Sequence, residues 1–341
     1  MLTAFQHPLA IDEVTDPVVP KHGVVLRVDA AGVCLSDWHA WMGHDAIPGL
    51  PHVLGHEMAG RVEEVGAEIV NWKVGDRVTV PFSIGCGDCR SCLEGHLNTC
   101  DRAFTPGFTA WGSFSELVAI DHADLNLVGL PDGLETVYAA ALGCRFITAF
   151  RALVDRARLQ PDEWLSVYGC GGVGLSAVMI GAALGAQVVA VDVDPASRDL
   201  ASELGAAHVV DGAVDDPWLE VRQVTGGGAH VSIDAVGRTE PAINSIHSLR
   251  KHGRHVQVGL MLAEHATPAI SMETVIMGEL EILGTRGMPA ADYDRVFELI
   301  SSGAVDPGRL VTRTIELADV SGVLEHMGEF RGVGITVIDR F

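Results

Sequence analysis

Trp164-Leu165-Ser166-Val167-Tyr168-Gly169-Cys170-Gly171-Gly172-Val173-Gly174, continued by an apolar run over 175–184 and by Gln187-Val188-Val189-Ala190-Val191-Asp192, decides the fold. Five residues of strand character enter a loop of glycines, and the loop enters a helical stretch expected over 175–184. A second strand follows and ends on an acid, roughly 20 residues beyond the glycines, the place such a unit keeps for a ribose-binding carboxylate. Gly169, Gly171, Gly172 and Gly174 let the backbone approach a pyrophosphate, and the helix N-terminus adds partial positive charge. Asp192 accepts hydrogen bonds from ribose hydroxyls and repels a 2′-phosphate, so NAD is expected over NADP. Arg198 is the one nearby charge that argues for the phosphate; its plainer reading is a solvated helix residue.

Further strands are expected at 207–210, 231–234, 255–259 and 280–284, with helical spans between them. Strands alternating with helices mean a doubly wound parallel sheet, an α/β domain. After Gly284 the chain leaves room for one helix, near 292–301, and a few strands that return to the N-terminal part. Upstream the character changes. A helix is expected over 146–157, and strands over 24–33, 62–65, 77–80 and 111–120, with Gly75-Asp76 as a tight turn and 34–42 as a turn into a short helix. Several short strands with glycine turns suggest a small barrel.

In that N-terminal part Leu54-Gly55-His56-Glu57 places an imidazole beside a carboxylate just ahead of a strand. Cys34 lies upstream in Gly32-Val33-Cys34-Leu35-Ser36-Asp37-Trp38-His39, and Cys144 downstream in Leu142-Gly143-Cys144-Arg145-Phe146. Two thiolates and one imidazole form a catalytic zinc set, with the fourth position open to water or substrate. Four more cysteines, Cys86, Cys89, Cys92 and Cys100, stand within one short loop and can close a tetrahedral shell. That is a structural zinc; an iron–sulfur cluster is the second reading. Two complete ligand sets imply two zinc ions per chain. Cys170, left over in the glycine loop, reads as a small buried residue.

The chain has 341 residues, 48% hydrophobic and 20% charged, with a net charge of −22. That length favours two domains. The negative charge excludes nucleic acid and anionic membrane as partners, since both require a basic patch. Seven cysteines, an odd number, argue against a disulfide framework. Met1-Leu2-Thr3-Ala4-Phe5-Gln6-His7-Pro8 shows no basic start followed by an apolar run, and a cytoplasmic location is expected. Residues 165–191 carry no charge and are long enough to span a bilayer, but glycines interrupt them and Asp192 follows, as in a buried strand–helix–strand unit.

With these motifs in combination, the chain resembles over essentially its whole length a zinc-dependent alcohol dehydrogenase of the medium-chain dehydrogenase/reductase superfamily. The resemblance implies a GroES-like β-barrel catalytic domain over 1–144 and 288–341, a Rossmann NAD-binding domain over 145–287, and an active site between them. It assigns the catalytic zinc to Cys34, His56 and Cys144, with Glu57 able to approach the metal during ligand exchange and Asp37 supporting the site. Ser36 and His39 match its proton relay, Phe82 a pocket wall, and Thr148 and Val173 the residues that press on the nicotinamide. A small alcohol, aldehyde or ketone is the implied substrate, and a homotetramer, or else a dimer, the implied assembly. Arg145 stands where many relatives have glycine, which implies a charge near the cofactor or pocket mouth. Polyol dehydrogenases of the superfamily often carry a carboxylate as third ligand, so Cys144 tilts the expectation toward simple alcohols. A zinc-independent C=C reductase is the remaining alternative.

Overall fold

The computed structural model describes residues 1–328 and 332–341. In chain order the strands are β1 Val24–Val33, β2 Glu57–Val65, β3 Arg77–Thr79, β4 Leu117–Ile120, β5 Val128–Gly129, β6 Trp164–Tyr168, β7 Gln187–Asp192, β8 His208–Asp211, β9 Ala229–Asp234, β10 Leu249–Gln257, β11 Glu281–Gly284, β12 Val311–Glu316 and β13 Ile335–Arg340. They fall into two compact units. The first holds Met1–Ile147, Gly287–Ser301 and Val311–Phe341; the second holds Thr148–Arg286 and Ser302–Leu310. The sequence reading put the changeover at 144/145 and 287/288; the units divide after Ile147 and after Arg286, and the second also takes 302–310.

In the first unit a seven-stranded sheet runs β12-β13-β1-β2-β3-β5, with β4 paired to β1. β1 is the hub: it pairs antiparallel with β13, β2 and β4. Its register slips against β2 at Val25/Leu26 and at Val28/Ala30, irregularities that bend a strand as barrel curvature requires. Inward residues Leu26, Val28, Met58, Val62, Val78, Ile120 and Ile338 form the core. Each such side chain contributes about 1.5–3 kcal/mol on full burial, which a one-residue slip would forfeit, so the core fixes the register.

Only 117–120 of the strand expected over 111–120 is present. The segment before it serves another purpose: the N–H groups of Gly112, Ser113 and Phe114 donate to Val53, Gly55 and Leu54 carbonyls at 2.9 Å. It thereby braces the approach to His56. A helix that the sequence reading lacked, Val320–Met327, packs on the helix Leu35–Met42.

The second unit is a parallel sheet in the order β11-β10-β9-β6-β7-β8. The order reverses at the β6/β9 neighbours, the topological switch point at whose carboxyl ends such sheets bind ligands. β6 is buried throughout except Trp164, as a central parallel strand must be. The helix after it begins at Gly172, three residues before the expected start, because the glycines themselves form its first turn. Gly169 is left-handed, and a Cβ on Gly174 would lie 1.7 Å from the Gly169 carbonyl oxygen, so only glycine lets helix and strand meet here. The helix expected over 146–157 is interrupted: a π-turn over Leu142–Phe146 precedes Ile147–Arg151, and another follows over Ala152–Arg156. Among the described residues no helix is long and apolar enough to cross a membrane.

Candidate active site

In the first unit β1 ends at Val33 and the chain turns at once into the helix Leu35–Met42, leaving Cys34 at its N-cap. Asp37 closes that turn by accepting the Cys34 N–H on Oδ2 at 2.9 Å. Its Oδ1 accepts the Gly55 N–H at 3.2 Å and lies 2.9 Å from His56 Nδ1. One buried carboxylate thus fixes the backbone of one thiol and the ring of the imidazole. With Nδ1–H given to Asp37, the imidazole presents its lone pair on Nε2. That Nε2 is buried and has no hydrogen-bond partner.

Ligand atoms of Cys34, His56, Glu57 and Cys144 all lie within 4.8 Å of one another. The contact with Cys144 holds the Cys34 thiol well below its usual range, and the same contact, reinforced by burial, drives Cys144 well above it. Burial opposes charge on His56, but Asp37 and then Cys34 raise it well above an ordinary histidine. A buried thiol, a half-buried thiol and a buried imidazole nitrogen with no hydrogen-bond partner fit a borderline-soft divalent cation, zinc above others.

Arg145 does not stand at a mouth. It is buried, 6% exposed, and pairs with Glu57, which is wholly buried. Its Nε donates to Glu57 Oε1 at 2.9 Å, its Nη2 to Oε2, and its Nη1 to the Val33 carbonyl at 3.1 Å. Burial costs either ion heavily when alone; breaking such a pair by removing one partner costs about 3–5 kcal/mol. The π-turn carries Cys144 and Arg145 together, and such extra-residue turns recur at functional sites.

Ser36 Oγ lies 3.9 Å from Cys34 Sγ. His39 follows one turn later on the same helix face. Its Nδ1 is 3.2 Å from His44 Nδ1, and its ring stands edge-on to Trp38. Burial, then His44, lowers its pKa. Phe82 and Phe108 stand edge-on to His56, with centroids 6.1 and 5.3 Å away. Sequence reasoning named Phe82 but missed Phe108, His44 and Tyr293. Tyr293 is fully buried with an unpartnered hydroxyl, and its pKa is raised by burial and then by the charges of Cys144 and Glu57. No local motif marks these three; only the folded chain brings them in.

Cys86, Cys89, Cys92 and Cys100 also converge within 4.8 Å. Their Sγ–Sγ distances include 4.0 Å for Cys86–Cys92, 3.7 Å for Cys89–Cys100 and 3.4 Å for Cys86–Cys100. A tetrahedral zinc–thiolate shell has sulfur–sulfur edges of about 3.8 Å, given its bond lengths. The N–H groups of Cys86 and Arg102 point at Cys100 Sγ at 3.4 and 3.3 Å, a polarity suited to a thiolate. All seven cysteines are free.

In the second unit Asp192 ends β7. Its Oδ2 accepts the Cys170 N–H at 2.5 Å and its Oδ1 the Asp194 N–H at 2.8 Å, so it fastens the glycine loop. Arg198 is not a solvated residue: its side chain is 17% exposed, pairs with Asp211 at 3.2 Å and donates to the Asp192 carbonyl at 2.7 Å. The guanidinium is committed inside the sheet's edge. Val173 lies in the first turn of the helix Gly172–Ala183, and Thr148, largely buried, opens the unit within Ile147–Arg151. Cys170 is buried, as read from the sequence.

Residues 20–132 match the family described as alcohol dehydrogenase GroES-like domain, and residues 172–302 the family described as zinc-binding dehydrogenase. The chain is 33% identical over 342 residues to an alcohol dehydrogenase of Geobacillus stearothermophilus, covering 98% of each. It is 32% identical to a D-arabitol-phosphate dehydrogenase of Enterococcus avium, covering 91% of this chain and 88% of that one. A solved NAD-dependent alcohol dehydrogenase superposes with a TM-score of 0.90 at 27% identity, covering 99% and 98% of the two chains.

Proposed function

The chain belongs to the alcohol dehydrogenases of the medium-chain dehydrogenase/reductase superfamily, and on that premise we propose that it is a zinc-dependent enzyme that oxidises a primary or secondary alcohol reversibly with NAD. The observation that carries this reading is the meeting of two thiols, Cys34 buried and Cys144 half-buried, with a buried imidazole nitrogen that has no hydrogen-bond partner. Cys34, His56 and Cys144 would hold a zinc ion that supplies Lewis acidity to a hydroxyl or carbonyl oxygen. NAD supplies the hydride acceptor. Asp37 fixes the His56 tautomer and keeps Cys34 in place. Ser36, next to Cys34, receives the substrate's hydroxyl proton, and His39, on the same face, passes it on toward His44 and water.

The glycine turn and the free N–H groups of the helix starting at Gly172 bind the pyrophosphate, and Asp192 binds the adenosine ribose. NAD is preferred over NADP because Arg198, the cation that would welcome a 2′-phosphate, is occupied by Asp211. Cys86, Cys89, Cys92 and Cys100 hold a second, structural zinc, giving two per chain. The polyol alternative has a named relative in its favour, but Cys144 supplies a thiol where many polyol enzymes have a carboxylate.

The test is turnover with NAD over a panel of primary, secondary, aromatic and polyhydric alcohols, read by NADH absorbance, with zinc measured on the same protein. NAD-linked oxidation of simple alcohols with two zinc ions per chain is expected. Full activity with one zinc or none overturns the metal assignment, and turnover of polyols alone overturns the substrate class.

A further inference from the structure

We propose that Arg145 is a positioning residue that holds the Glu57 carboxylate off the metal, so that Glu57 does not become a fourth ligand and the open coordination position stays open. The inference rests on the metal reading above. Distance is not what keeps Glu57 away: its carboxylate oxygen belongs to the set whose ligand atoms all lie within 4.8 Å of one another. A buried carboxylate that close to a divalent cation binds it unless something else claims its oxygens.

Arg145 claims both. Oε1 accepts the Arg145 Nε–H at 2.9 Å and the Arg145 backbone N–H at 3.3 Å, and Oε2 accepts from Nη2. This is the bidentate fork, the strongest geometry a guanidinium offers a carboxylate. The fork is itself anchored, because Nη1 donates to the Val33 carbonyl at 3.1 Å, one residue ahead of Cys34. The clamp therefore runs from the residue after Cys144 to the residue before Cys34. A side chain in β1 would destroy it: a Cβ on Gly32 would lie 2.0 Å from Glu57 Oε2 and 3.0 Å from Arg145 Nη2. Arg145, Glu57 and the missing side chain at Gly32 form one device. To move toward the metal Glu57 has to draw away from a guanidinium that is itself anchored, which stretches the fork.

The consequence is kinetic. A carboxylate that enters the shell lets another ligand leave without stranding the cation at low coordination, which speeds metal exchange. Arg145 slows exchange by withholding Glu57. The experiment follows replacement of bound zinc by added cobalt, through the visible thiolate–cobalt absorbance, in the parent, Arg145→Gly and Glu57→Gln/Arg145→Gly. Exchange at the four-cysteine lobe serves as the control within the same molecule. Arg145→Gly is expected to exchange metal measurably faster at the Cys34/His56/Cys144 centre. The double variant is expected to return to the parental rate, and the lobe to be unchanged in all three. If Arg145→Gly does not fold, Arg145→Lys, which keeps the charge and loses the fork, is measured the same way and is also expected to exchange faster. Unchanged exchange in the folded variant overturns the proposal, as does acceleration that persists once Glu57 is Gln. A parent carrying zinc only in the lobe sinks the metal reading itself, an outcome distinct from either.

Discussion

Ser36 and His39 are common residue types whose weight comes from their place on the helix behind Cys34. In the proposed relay Ser36, whose Oγ lies 3.9 Å from Cys34 Sγ, takes the first proton. Positioned proton transfer typically contributes about 10²–10⁴-fold, so Ser36→Ala is expected to lose most turnover while keeping zinc and NAD binding. His39→Gln is expected to be milder and partly restored by imidazole buffer, because His39 is only half-buried with His44 beside it, and buffer can replace it there. Turnover against pH and buffer concentration, with zinc measured in parallel, decides it; near-parental turnover in Ser36→Ala returns both residues to structural roles. Asp192 carries the second residue-scale expectation. Its oxygens also take the Cys170 and Asp194 N–H groups, so Asp192→Gly removes a loop fastener together with the proposed ribose partner. NAD affinity should fall and the preference for NAD over NADP should relax, read as the ratio of kcat/KM for the two. A parent that already prefers NADP contradicts this reading.

At the scale of elements, the cysteine lobe has little regular structure of its own, a four-residue helix and a 3₁₀ turn, so its shape depends on what joins its sulfurs. A closed metal site contributes folding free energy directly. Cys89→Ser is expected to lower the melting temperature and the zinc content, leaving the chemical step of the remaining folded protein intact. A variant as heat-stable as the parent but without turnover reverses the roles of the two cysteine sets. The parallel sheet carries a pH-sensitive element of its own. His255 on β10 is buried with Nδ1 3.1 Å from the hydroxyls of Ser232 and Ser245 and Nε2 3.3 Å from Gln257 Oε1. Burial pulls its pKa down to about 4, with Gln257 acting the other way. The unfolded imidazole titrates near 6.5, so in that window the unfolded chain binds more protons than the folded one. Stability is full above about pH 6.5, falls as pH drops toward about 4, and levels off below, a loss on the order of 3 kcal/mol. His255→Gln keeps hydrogen-bonding groups without titrating and should flatten that slope in heat-unfolding curves; parallel slopes for parent and variant would remove His255 from the account.

For the whole molecule, the expected assembly of four copies, or two, has a candidate surface in the second unit. β11 is an edge strand, and Ile282 on it is 39% exposed. The helix Met272–Gly278 buries none of its residues and leaves Ile276 68% and Met277 70% exposed. Unpaired strand edges and apolar patches of this kind mark association sites. The parent is expected to be a tetramer, or a dimer, by light scattering, and Ile276→Asp/Met277→Asp to shift it to smaller species while remaining folded by circular dichroism. A monomeric parent, or a variant that assembles like the parent, rules this surface out.

The sequence by itself determined the chemistry types and the local machinery. The glycine loop, Asp192 and the four-cysteine run are legible because each depends on residue type and short spacing, which the sequence states outright; Cys34, His56 and Cys144, spread over more of the chain, are legible as ligand residue types in local motifs that the family resemblance joins. The strand–loop–helix–strand unit was legible for the same reason, its hydrogen bonds and close approaches being set by neighbours in the chain. Tertiary structure alone decided the rest. Arg145 and Glu57 are 88 residues apart, and only the β1–β2 register with the π-turn at Cys144 makes them a pair; the sequence alone left Arg145 as a charge near the cofactor or pocket mouth. Arg198 looked solvated until the sheet brought Asp211 beside it. The missed helix Val320–Met327 is specified by the apolar face it covers on Leu35–Met42. A buried ion exists only where the fold brings its partner, because the low dielectric that strengthens the pair forbids either ion alone.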